Sequence, residues 1–167
     1  MRSIVLGGLL IITTSGFAVS VEEAYRLIPH QRTEFQSTTA RMAGHERAYL
    51  TAFFSAIDQA IVAKVESRRG VTVAEAYAPV WKAWASLSPP VSLRATQDKV
   101  KAAIVDQQTF LFEIERKQSA WNMSHARVLA ASSRLRAAYG ELMRIYPGED
   151  ATNKQAFFDY LCALDFI

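Results

Sequence analysis

The chain has 167 residues, half of them hydrophobic and 21% charged, which excludes a disordered or low-complexity polypeptide. Seven glycines and five prolines are few for an all-β sandwich, and abundant alanine favours helix. A net charge of +3 is too mild to imply nucleic acid as a partner.

The N-terminus carries Arg2, an uncharged run from Ile4 to Ile12, and a small-residue exit through Ser15, Gly16, Ala18 and Ser20. These are the three parts of a secretory signal peptide, expected over residues 1–20. Cleavage after Ala18 or after Ser20 fits. The run turns polar at Thr13, short of the ~20 apolar residues of a membrane span. A periplasmic or secreted protein is expected; the alternative is anchoring by an uncleaved N-terminal helix. Cys162 is the only cysteine, so an intramolecular disulfide is impossible. Its apolar surroundings read as core.

Residues 21–167 read as one all-α domain. Ser20–Glu23 fits a capping box before a short helix with Ala24, Leu27 and Ile28 on its apolar side. Thr33–Gln36 fits a second, opening a helix over 34–69. Its apolar face runs through Met42, Tyr49, Leu50, Phe53, Phe54, Ile57, Ile61 and Val65, with Ser55 and Gln59 opposite. Gly70 ends it. Thr72–Glu75 opens a third helix that contains Pro79 and stops at Pro89-Pro90. From Leu93 to Tyr146 there is no proline. One heptad row holds Gln97, Ile104, Leu111, Gln118, His125, Ser132, Tyr139 and Tyr146. The other holds Val100, Gln107, Ile114, Trp121, Val128, Leu135 and Leu142. A straight helix of that length would reach ~80 Å, so a bend or break is expected near residues 119–124. Thr152–Gln155 fits a last capping box. The expected fold is a helical bundle on two long antiparallel helices, 34–69 and 93–146, with three shorter helices alongside. Phe53, Ile57, Ile61, Ile114, Trp121, Val128 and Leu135 are the expected core between the long pair.

The sequence lacks a CxxCH, HExxH, P-loop, GxSxG or GxGxxG motif and any Glu-x-x-His pair. No cofactor, metal or catalytic activity is expected. His125 sits on the heptad row between Gln118 and Ser132, with Trp121 one turn earlier. These four would line an interhelical pocket, completed by Glu46 or Tyr49, for a small ligand or for a haem held with Met42 or His45. The plainer reading is a seam histidine that fixes helix register, so that His125→Leu keeps or raises thermal stability. His30, Arg32 and Glu34 crowd a short helix connection, where sites tend to sit; the plainer reading pairs Arg32 with a carboxylate. Arg116, Lys117, Arg127, Arg134, Arg136 and Arg144 face only Glu141 in the same stretch. That surplus suits weak contact with anionic lipid or cell-wall polymer, unless acids of other helices neutralise it. The expected function is binding of a protein partner in the bacterial envelope, without catalysis.

Overall fold

The computed structural model describes residues 18–28 and 30–165. They form an all-α bundle of six helices: α1 (Val21–Leu27), α2 (Gly44–Arg68), α3 (Val73–Ala85), α4 (Arg94–Glu115), α5 (Ala126–Ile145) and α6 (Ala151–Asp165), with a 3-10 turn (Val91–Leu93) before α4. Residues 1–17, on which the leader expectation rests, lie outside the described residues.

Three starts and stops follow local chemistry. The Ser20 hydroxyl accepts the Glu23 N–H and caps α1. Thr72 and Glu75 form a reciprocal capping box on α3. After α2, Gly70 takes φ +98°, and the Val71 N–H returns to the Glu66 carbonyl, the Schellman turn that favours glycine. The start of α6 is shifted: Asp150, not Thr152, receives the Asn153 N–H.

The helix expected over 34–69 starts only at Gly44. Residues 30–43 form a strap whose backbone groups find partners elsewhere in the chain. Gln36 donates its N–H to the Asn153 side chain at 2.7 Å and accepts the Asn153 amide at 3.2 Å. The Arg41 N–H meets both oxygens of the buried Glu149 carboxylate at 2.9 and 3.1 Å. Phe35 stacks on Phe157 and leans on Phe54. A helix through these residues would give up all of these contacts.

The helix expected over 93–146 is instead a hairpin. It breaks across residues 116–125, and α5 returns antiparallel along α4. A ladder at heptad spacing joins the two: Arg127 to Glu113 at 2.8 Å, Arg134 to Asp106 at 2.9 Å and Lys99 to Glu141 at 2.6 Å. Acids of α4 thus neutralise two of the bases that look unpaired in sequence. The long antiparallel pair is therefore α4 and α5, not 34–69 and 93–146.

Helices that follow one another in the chain alternate in direction. Val19 meets Glu66, Val73 meets Glu115, Arg127 meets Glu113, and Leu164 meets Lys64. The starts of α1, α3 and α5 therefore share one end of the bundle with the finishes of α2, α4 and α6. α2 is the central helix. It is apolar and long enough to cross a membrane by composition, yet most of it lies inside the bundle. Only a narrow strip containing Ser55 and Gln59 faces solvent.

The expected core residues Phe53, Ile57, Ile61, Val128 and Leu135 are buried. Ile114 is half-buried and Trp121 is 42% exposed, because the chain leaves the helix before reaching Trp121. On α1, Leu27 is exposed and Tyr25 takes the inward position. The buried Lys64 ammonium donates to the Leu164 and Ala163 carbonyls, and Gln107 also donates to Leu164. They satisfy the last carbonyls of α6, and burial pulls the Lys64 ammonium down to about 7.

Candidate functional site

His125 does not sit on a helix seam. It is the N-cap of α5: its Nδ1 accepts the Arg127 N–H at 3.3 Å. Its Nε2 lies 3.3 Å from a Glu113 carboxylate oxygen, and its ring packs on Phe110 at 4.8 Å. Both ring nitrogens are engaged, which leaves none to ligate an iron. Glu46, Tyr49, Met42 and His45 belong to the opposite end of the bundle, where Glu46 meets Ser92 and Tyr49 meets Gln97. The pocket expected from these residues is not assembled. Gln118 is exposed in the α4–α5 turn. Ser132 donates its hydroxyl to Asp165 of α6, almost two turns along α5 from His125. Because His125 caps a helix and faces a carboxylate, the expectation for His125→Leu reverses. The substitution should lower stability by about 1 kcal/mol, read as a drop in urea midpoint, and His125→Asn should restore most of the loss.

His30, Arg32 and Glu34 do come together, with residues that the sequence did not point to. Arg32 bridges Glu34 at 2.6 Å and Asp58 at 2.8 Å, and its guanidinium lies over the rings of Tyr25 and Tyr160. The Tyr25 hydroxyl donates to Asp58 at 3.0 Å. Burial pushes the Asp58 carboxyl above its ordinary value, against the pull of Arg32 and Tyr25. His30 Nε2 stands 3.6 Å from the buried Asp159. The geometry is that of a lock: Arg32 fastens the strap to α2, and its charge is spent on carboxylates of the same fold. Cys162 is half-buried, and burial with Asp165 and Asp159 nearby pushes its thiol up, away from the reactive thiolate.

One open feature is at the end of the bundle where α2 and α4 finish. A cleft of about 450 Å³ lies there, lined by Arg68, Gly70, Val71, Ile114, Glu115 and Trp121 among others. Trp121 is the one residue of the expected pocket that lines it. The Arg68 guanidinium covers its indole at 4.6 Å, a cation–π contact, and Phe110 supports it at 5.7 Å. Two Schellman turns shape the rim, one at Gly70 and one at Lys117. Phase alone could not reveal this cleft, since its walls come from three separate parts of the chain. The sequence signal available was the pair of basic helix ends, Arg68-Arg69 and Arg116-Lys117.

Among the described residues, no group of three or more His, Cys, Asp or Glu side chains converges on a metal-sized site. No family model, curated protein or solved structure matches this chain.

Proposed function

We propose that this is an exported helical protein of the bacterial envelope that acts by binding a partner rather than by catalysis. Its binding surface is the Trp121 end of the bundle. The observation that carries this reading is the open cleft there, with a large exposed aromatic ring packed under Arg68. Exposed tryptophan and arginine are the side chains most enriched at binding hot spots. Export follows from Arg2, the Ile4–Ile12 run and the small-residue exit. Cleavage after Ala18 suits the fold best. It keeps Ser20 as the cap of α1, and it turns the Val19 nitrogen, 3.1 Å from Glu66, into a charged partner for that carboxylate.

The test is affinity capture from envelope extract with three baits: the parent chain, Trp121→Ala, and Gln59→Ala on the exposed strip of α2. One envelope component should be retained by the parent and by Gln59→Ala and lost with Trp121→Ala. Capture indifferent to Trp121→Ala overturns the site. An intact Met1 on a cytoplasmic species, found by N-terminal sequencing, overturns export.

A further inference from the structure

Granted the reading that this end of the bundle is the binding surface, on which the proposal rests, the residues around the cleft define the partner more narrowly. Val71, Trp121 and Met123 are exposed there at 38%, 42% and 52%. Arg68, Arg116 and Lys117 stand among them. Apart from the exposed Glu22 of α1, the acids at the same end have partners within the protein. Glu66 accepts the Val19 N–H, Glu115 the Val73 N–H, and Glu75 the Thr72 hydroxyl. Glu23 pairs with Arg69, and Glu113 with Arg127 and His125. Arg68, Arg116 and Lys117 have no carboxylate partner among the described residues. The surface therefore presents apolar tips and three bases against one unpaired carboxylate, Glu22, with the other acids held against backbone or paired.

Lys117 adds an independent observation. It has φ +57°, and it occupies the left-handed position of a complete Schellman turn: its own N–H reaches the Ile114 carbonyl and the Gln118 N–H reaches the Glu113 carbonyl. Glycine is the residue that suits that backbone; a lysine there is strained. A charge is thus held at the tip of α4 in a conformation that disfavours the residue carrying it. Strain retained at one surface position points to use of that side chain.

The chain also enters the fold at this end. Val19 docks on Glu66, two residues before Arg68, and only Thr13–Phe17 separate Ala18 from the uncharged run ending at Ile12. Under the export reading above, this is the end of the bundle to which the leader is joined.

We infer that the α2–α4 end of the bundle rests on the surface of an anionic lipid bilayer. Trp121, Met123 and Val71 enter the headgroup layer, and Arg68, Arg116 and Lys117 face the lipid phosphates. Tryptophan is the side chain that favours the membrane–water interface, and each arginine or lysine near an anionic surface adds attraction that salt weakens.

The experiment uses the chain from Val19 onward, which contains all six helices and the whole buried core. It is mixed with vesicles of phosphatidylglycerol and phosphatidylcholine, or of phosphatidylcholine alone. Co-sedimentation and a blue shift of tryptophan emission are expected with the anionic vesicles only, and both should fade as salt rises. Trp121→Ala should remove the shift. Lys117→Gly separates folding from binding. It should raise the melting temperature by about 2–4 °C while weakening vesicle binding about fivefold. Adding Arg116→Gln should bring the loss to roughly twenty-five-fold. No binding to anionic vesicles, equal binding to both kinds, or a Lys117→Gly chain that binds as well as its parent overturns the inference. If vesicles fail but a Trp121-dependent protein is captured from envelope extract, the binding surface stands and its partner is a protein. If Trp121→Ala changes neither assay, both readings fall.

Discussion

Arg32→Met should cost about 3 kcal/mol of stability, measured as a fall in urea midpoint at neutral pH. The substitution leaves Asp58, which is only 6% exposed, without its cation. The cost lies at the lower end for a broken buried pair because the Tyr25 hydroxyl still donates to Asp58. The loss should depend on pH with a definite sign. Burial already holds the Asp58 carboxyl above its ordinary value of 3.8, and removing Arg32 removes an opposing pull. The folded variant then keeps a proton that the unfolded chain gives up. Stability falls as pH rises from about 4 through the folded-state value and is level above it. The gap between variant and parent should accordingly shrink as pH is lowered toward 4. Adding Asp58→Asn should recover part of the loss at neutral pH. A gap that is the same at every pH would mean that Asp58 is not the charge Arg32 serves.

Phe54→Ala should be the most damaging single truncation in the centre, at about 4 kcal/mol. Phe54 is 1% exposed, and its ring meets Phe35, Phe53, Phe157 and Tyr160 at 4.6 to 5.8 Å. The void would touch the strap, α2 and α6 together, so no single side chain can close it. The melting temperature should fall by roughly 8–16 °C. The strap should also become the first site of limited proteolysis, since Phe35 loses its main apolar contact there. A drop of only a few degrees, with the strap still protected, would show that this aromatic cluster is not where the strap is held.

The helical class, the capped starts of α1 and α3, the turn at Gly70 and the apolar stripe of α2 were legible because each is decided by residues within a turn or two of one another. So were the loss of helix near residues 119–124 and the pairing of Arg32 with a carboxylate. The apparent cap at Thr33 misled for a related reason. A Thr-x-x-Gln spacing permits a helix start but does not decide whether the backbone beyond it finds better partners elsewhere.

The heptad rows over 93–146 show the same limit. They continue without a phase break from α4 into α5, and Val128, Leu135 and Leu142 are buried as that phase requires. Phase does not tell a continuous helix from an antiparallel hairpin, because both bury the same positions. The ladder Lys99–Glu141, Asp106–Arg134 and Glu113–Arg127 forms only in the hairpin. The same ambiguity made His125 look like a seam residue rather than a cap.

What the sequence determined alone is therefore local: helix content, most helix ends, and which side of each helix is apolar. Tertiary structure decided where residues 30–43 find their hydrogen bonds, 108 to 117 positions away at Glu149 and Asn153. It also decided that Trp121 leaves the core and joins the ends of α2 and α4 at an open surface. Buried backbone groups must be paired, and which partner wins depends on chain segments whose meeting no local pattern encodes.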